Sequence, residues 1–294
     1  MVVGATDPTV SLVIGSGSVK CAAALGVVKV LNEAGIGIER VVGCSAGALF
    51  ASAIALGYDT AAAKDITLRV WTRELTSRPN RLSYLRVVAP KLLGFKADNF
   101  GLRDERAMAA SLRSVFGDRR IEDTAIPLHI TATDFATGEL VDITHGRIVD
   151  AIRASLALPF AFAPVQFDGR LMTDGYLSDP LPVSVAMKHG GRVIVGVGFE
   201  SPYQEKVNSA GRFAFQLGAI MANNLLKSKL AFHSMAHHSE VILVLPEFQQ
   251  RVRLFETAKV PYVIEEGEQA MLLQLPYLRE LLAAEKRQAA AFPA

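Results

Sequence analysis

Apolar positions along the chain fall into short runs separated by glycine-rich breaks. TVSLVI (residues 9–14) has the character of a buried strand, Gly15 to Ser18 form a tight loop, and residues 19–34 carry helical apolar spacing that Gly35 stops. Residues 38–42 predict a second strand, and a small-residue helical pattern begins at Ala46. This order of strand, loop, helix, strand, turn and helix implies parallel strands joined by right-handed crossovers. Further on, PLHITATDF (127–135) and GELVDIT (138–144) read as a strand pair closed at Thr137-Gly138. PVQF and RLMTD read as another, closed by Asp168-Gly169. RVIVGVGF (192–199) and EVILVLPE (240–247) are later strands on either side of a long helical stretch, and residues 265–287 have helical periodicity with mixed charge. The pattern predicts one α/β domain over residues 1–294 with a parallel-rich central sheet. Its core covers about residues 9–200, and an extension of helix and strand covers 201–294.

Half of the 294 residues are apolar and a fifth are charged, which describes a folded chain with a large core. Mean hydropathy is positive, yet the uncharged stretch at residues 41–58 is rich in Gly, Ala and Ser, whereas a membrane span wants about 20 predominantly apolar residues. The opening MVVGATDPTV has no basic region ahead of its apolar segment, which speaks against a secretory signal. Cys21 and Cys44 are too few for a disulfide framework, and they predict a reducing, cytoplasmic compartment. A net charge of +2 gives no indication of a nucleic-acid partner. The sequence leaves the oligomeric state open.

The chemistry gathers at Gly43-Cys44-Ser45-Ala46-Gly47. A serine hydroxyl becomes a nucleophile when one group removes its proton and others stabilise the oxyanion that forms. A sharp strand-to-helix turn lifts the hydroxyl clear of the sheet and sets it at a helix N-terminus, where backbone N–H groups favour negative charge. Gly43 and Gly47 relieve crowding on such a turn. G-x-S-x-G alone is a weak signal, and the plain alternative is a turn whose Ser45 caps a helix. Cys44 is a rival nucleophile, read here as a buried structural thiol.

A second glycine loop, Gly15-Ser16-Gly17-Ser18-Val19-Lys20, also stands between strand and helix. Lys20 occupies the place of the third glycine of a dinucleotide fingerprint, and the P-loop pattern is absent as well. What remains is a small-residue loop whose amides can face an anion, or a tight turn with no ligand.

GSGSVK with its helix, GCSAG, TATDFATGELV, SLALPFAFAPV and DGYLSDPLPVSVAMKHGG follow one another over most of residues 9–200. In that order they resemble the patatin-like phospholipase family, in particular its single-domain bacterial members and the catalytic domain of neuropathy target esterase. The resemblance implies a patatin-like fold of three α/β/α layers. It implies a Ser-Asp dyad with Ser45 as nucleophile and Asp174 as base, an oxyanion hole from amides of Ser16, Gly17 and Ser18, and supporting roles for Lys20 and Gly175. This chain departs from the family pattern at two positions. Cys21 stands where the family carries glycine, and Tyr176 follows Asp174-Gly175 where the family carries glycine or alanine, which places a ring near the mouth of the site.

A free aspartate is a weak base, and burial in an apolar pocket strengthens it. Asp168-Gly169 serves as an internal control, assigned to a hairpin turn while Asp174 is assigned to chemistry. The chemical rival is a Ser-His-Asp triad drawing on His129, His145, His189, His233, His237 or His238. The early position of the elbow favours the dyad, which predicts no pH inflection attributable to imidazole. His233 and His237 are four apart, but no Glu completes H-E-x-x-H, so no metal and no cofactor are expected.

Residues 78–96, RPNRLSYLRVVAPKLLGFK, interleave Arg78, Arg81, Arg86, Lys91 and Lys96 with apolar side chains, and Pro90 divides them into two short elements. The segment is a candidate peripheral contact with an anionic inner membrane face, set against an ordinary helical hairpin that covers the core. The function expected is acyl hydrolysis of a lipid ester, as a phospholipase, lysophospholipase or esterase acting through an acyl-Ser45 intermediate. The alternatives are a weakly catalytic regulatory protein that binds acyl groups or a protein partner in the same pocket and, less favoured, a dinucleotide-binding oxidoreductase.

Overall fold

A computed structural model describes residues 8–71, 78–88, 94, 96–201, 203–236 and 240–291. Its strands are β1 (Thr9–Ile14), β2 (Gly37–Cys44), β3 (Leu128–Asp134), β4 (Leu140–Ile143), β5 (Val165–Phe167), β6 (Arg170–Asp174), β7 (Val193–Val197) and β8 (Glu240–Val244). They form one sheet in the order β5-β6-β3-β2-β1-β7-β8, with β4 also on β3. The run from β3 through β2, β1 and β7 to β8 is parallel, and the β4, β5 and β6 pairings are antiparallel.

The helices are α1 (Ala23–Glu33), α2 (Ala46–Ala55), α3 (Thr60–Val70), α4 (Arg81–Val88), α5 (Arg106–Phe116), α6 (Ile148–Ser155), α7 (Val183–Lys188), α8 (Ala210–Ala236) and α9 (Val260–Ala291). Side-chain alternation along the strands explains why helices cover both faces. Val10, Leu12, Ile14 and Val41 turn to one face with Val193, Val195 and Val197, under α1, α2, α6 and α9. Val13, Val42 and Ile194 turn to the other, against Val183, Val185 and Ala186 of α7 and Leu226 of α8. The architecture is the expected three-layer α/β/α sandwich around a parallel-rich sheet.

The extension folds back onto the core. Val260, Val263, Met271 and Leu278 of α9 are buried in the larger cluster, and Lys29 of α1 reaches Glu268 at 2.8 Å. In α8, Lys229 stands 3.4 Å from the buried Asp179 carboxylate. The helix expected over 19–34 begins instead as a 3-10 turn, Ser18–Ala22, because Ser18 enters at φ 57° and Lys20 N–H closes on the Gly17 carbonyl at 3.2 Å. Of the segment at 78–96, α4 is described and residues 89–93 and 95 lie outside the described residues, as does the expected break at Pro90. Among the described residues no helix is long and apolar enough to cross a membrane.

Candidate active site

The register around β3 sets the site. Thr131 pairs with Cys44 of β2 and with Asp142 of β4, while Ala132 pairs with Val141 of β4 and with Asp174 of β6. A strand residue has one neighbour on each side, and β4 holds one side of both positions. Thus β2 and β6 lie against the same edge of β3 and end facing one another. Ser45 follows the last residue of β2, and Asp174 is the last residue of β6. Although 129 positions apart in the chain, Ser45 Oγ donates to Asp174 Oδ2 at 2.8 Å.

Ser45 is held at φ 55° and ψ −126°, in the positive-φ region that L-residues rarely occupy. The turn is held from outside as well as from within. Ser45 N–H donates to Ser155 Oγ at 2.7 Å, and Ser155 Oγ donates onward to the Thr131 carbonyl at 2.7 Å. A Cβ at Gly43 would lie 2.6 Å from the Ala48 Cα, and one at Gly47 would lie 2.4 Å from the Ile14 carbonyl oxygen and 2.7 Å from that of Gly15. Glycine at 47 therefore lets the elbow press against the first glycine loop.

Asp174 is buried, and its surroundings fix its position. Its N–H donates to the Ala157 carbonyl at 3.1 Å, its carbonyl accepts from Thr133 Oγ1 at 2.9 Å, and its Oδ1 accepts from Tyr176 N–H at 3.1 Å. Gly175 crosses so close to β3 that a Cβ would lie 2.5 Å from the Thr131 carbonyl oxygen. Desolvation pushes the Asp174 carboxyl up to about 7, opposed by the hydrogen bonds from Tyr176 N–H and Ser45 Oγ. A carboxylate at that value is matched to proton transfer near neutral pH.

The amides of the first loop differ in their partners. Ser16 N–H is already committed to the Pro180 carbonyl at 2.8 Å, which corrects its expected place among the oxyanion donors. Gly17 and Ser18 N–H groups have no acceptor among the described residues. Ser18 turns its hydroxyl to the Leu254 carbonyl and accepts from Trp71 Nε1 at 3.1 Å. Lys20 Nζ donates to the Glu200 carbonyl at 3.2 Å and sits 5.4 Å from the centre of the Phe248 ring, with burial holding its ammonium below the usual range. Cys21, in place of glycine, packs its Sγ 3.2 Å from the Gly15 carbonyl oxygen and braces the loop. Cys44 is buried with its thiol pushed up by desolvation, as a structural thiol should be.

Three imidazoles face carboxylates other than Asp174. His129 and His189 pair with Asp142, and His145 lies 3.7 Å from Asp168. His237 and His238 lie outside the described residues. Asp168 takes φ 49° in the hairpin between β5 and β6, as expected of a turn residue. Sequence reasoning missed Ser155. It begins the SLALPF stretch, but nothing local to it reveals that its hydroxyl links the elbow to β3.

Fold and site together define an α/β protein with a serine on a strained strand-to-helix turn and a buried carboxylate as its partner. The sequence profile of the patatin-like phospholipases matches residues 12–187, more than half of the chain, and the chain belongs to that family. An NTE family protein of Mycobacterium tuberculosis is 35% identical over 181 residues, covering 62% of this chain and 46% of that protein. Patatin-like phospholipase domain-containing protein 7 of Rattus norvegicus is 27% identical over 196 residues, covering 65% of this chain and 14% of that protein. The chain thus spans less than half the length of these curated relatives. Among solved structures, VipD from Legionella pneumophila aligns with a TM-score of 0.50 at 14% identity, covering 92% of this chain and 67% of that one, which shows the shared fold.

The raised Asp174 value has a consequence for stability. The folded state keeps a proton at Asp174 up to about pH 7, whereas the unfolded chain loses it near the ordinary aspartate value, so this group's contribution to stability falls as pH rises towards 7. Between pH 5.5 and 8.5 the loss is about 2 kcal/mol. Asp174→Asn removes this dependence. In urea unfolding at the two pH values, the variant should gain about 2 kcal/mol on wild type as pH rises; parallel stabilities would contradict the assignment.

Proposed function

We propose that this chain is a serine lipid acyl hydrolase, a phospholipase, lysophospholipase or esterase, acting through a Ser45-Asp174 dyad and an acyl-serine intermediate. The observation that carries the reading is the 2.8 Å hydrogen bond from Ser45 Oγ to the buried Asp174 carboxylate. Family membership supplies the lipid substrate class.

In the proposed reaction, Ser45 Oγ attacks the ester carbonyl carbon as its proton passes to Asp174 Oδ2. The carbonyl oxygen becomes an oxyanion, met by the Gly17 and Ser18 amides and by the first amides of α2. Each such donor is worth about 10²- to 10³-fold in rate. Collapse of the tetrahedral intermediate breaks the ester C–O bond, and the leaving alcohol takes the proton from Asp174. Water then gives a proton to Asp174 and attacks the acyl carbon, and Ser45 leaves with that proton restored.

Entry of lipid fits the surface around α4. Leu82, Tyr84 and Leu85 are exposed beside Arg81, and Phe160, 56% exposed, packs edge-on against Phe100 with ring centroids 6.3 Å apart. Leu102 N–H donates to the Phe160 carbonyl at 2.9 Å, which ties this surface to the loop preceding β5 and β6. We assign it peripheral contact with anionic lipid, apolar side chains at the acyl boundary and arginines at the headgroups.

A fluorophosphonate probe should label wild type, and Ser45→Ala should abolish labelling. Asp174→Asn should lower kcat on a defined lipid panel, followed by product mass spectrometry, by at least about 10³-fold, and Asp168→Asn should leave it unchanged. The kcat/KM profile should rise with a midpoint near pH 7 that barely moves on warming, as a carboxyl's does and an imidazole's does not. Equal tolerance of the two aspartate changes would reject the dyad. Replacing Arg78, Arg81 and Arg86 by Gln should weaken binding to anionic vesicles at least about tenfold while leaving probe labelling intact; undiminished vesicle binding would remove this segment's role as an anchor.

A further inference from the structure

On the far side of β3 from Ser45, three side chains of metal-ligating type converge where the β3–β4 pair meets the end of α7. His129 is the second residue of β3, and Asp142 on β4 stands opposite Thr131, two residues further along. Both therefore project from one face of the sheet, and His189, the residue that ends α7, meets them there. His129 Nδ1 lies 2.9 Å from Asp142 Oδ1, and His189 Nε2 lies 2.8 Å from Asp142 Oδ2. The two imidazole centroids are 4.4 Å apart, and one ligand atom from each of the three residues lies within 4.8 Å of the other two.

We propose that His129, Asp142 and His189 form a binding site for a divalent transition-metal ion of the zinc type, held by two imidazole nitrogens and a carboxylate oxygen with water completing its shell. The donor set decides the class of ion, since imidazole with one carboxylate suits zinc and its neighbours, whereas calcium and magnesium ask for oxygen alone. Metal bonds of about 2.0–2.1 Å in tetrahedral array place ligand atoms about 3.4 Å apart, so the two contacts to Asp142 open by about half an ångström while the imidazole nitrogens, within 4.8 Å of each other, draw together. Exposure grades across the site. The side chains of His129, Asp142 and His189 are 8%, 15% and 35% exposed, which leaves the ion a solvent path at His189 and a desolvated floor at His129.

Binding balances without a change of net protonation when both rings are neutral. In the free site each neutral ring donates its N–H to Asp142, and on binding the proton moves to the ring's other nitrogen, Nε2 of His129 and Nδ1 of His189, so that the nitrogen facing the carboxylate offers its lone pair to the ion. Two N–H···O bonds give way to three coordinate bonds. The ion would fasten the end of α7 to the β3–β4 pair, a structural role independent of the proposed acyl chemistry. Because the ligands stand 13 and 47 positions apart, no local spacing motif announces them.

The test is calorimetric titration of Zn2+ into the full chain after chelator treatment, with Co2+ absorption as a second readout. Wild type should bind one ion with a Kd of micromolar or tighter, show Co2+ bands in the visible, and gain about 5 °C in Tm at 100 times Kd. His189→Ala and Asp142→Asn should weaken binding at least about tenfold with unchanged far-UV circular dichroism, and His145→Ala, outside the cluster, should bind as wild type does. His189→Gln guards against loss of folding, because its amide can still donate to Asp142 while offering zinc no imidazole. A wild type that does not bind, or His189 variants that bind as well as wild type, overturns the site, the first outcome reducing the cluster to a hydrogen-bonded triad.

Discussion

Two strands that end against each other on one edge of β3 create the constraint from which the site follows. β2 arrives from one direction and stops at Cys44, β6 arrives from the other and stops at Asp174, and consecutive residues of β3 hold both ends. Backbone hydrogen bonds thus bring a hydroxyl and a carboxylate within 2.8 Å without any flexible loop having to find the geometry. The same closure strips water from Asp174, and that desolvation raises its carboxyl to about 7.

Such a site works against stability. A positive-φ serine and a buried carboxylate are both costly, and both persist because neighbours over-determine them. Ser155 bridges the Ser45 amide to β3, while Thr133 and Thr173 spend their hydroxyls on the Asp174 carbonyl and on the Ala157 carbonyl that receives the Asp174 amide. Each of these polar groups is satisfied by a partner that also fixes position, so the network that offsets the cost of burial is also what pre-organises the pair.

The family match ends at residue 187, and the residues beyond it add to the sheet and to both helical layers. β7 and β8 extend the sheet past β1, α9 buries its apolar stripe in the larger core, and α8 covers the opposite face with α7. This extension also reaches the site's surroundings. The Leu254 carbonyl accepts from both Ser18 and Trp71, and Glu200, just past β7, receives Lys20. Residues downstream of the shared segment therefore brace the glycine loop from outside.

Much of this was legible in the chain itself. Strand runs, the glycine breaks and the order of elements dictated an α/β domain with a parallel-rich sheet, because side-chain period and turn chemistry are local properties. Asp168-Gly169, read as a hairpin turn, joins β5 to β6. Contacts that join distant positions stayed hidden. Sequence placed Ser16 among three equivalent amides, and only the fold revealed that Pro180 occupies its hydrogen; Ser155 and the His129, Asp142 and His189 cluster carried no local pattern at all. Local spacing specifies which element forms, whereas which edge of β3 receives each strand, and hence which polar groups meet, is settled by packing the whole sheet against its helices.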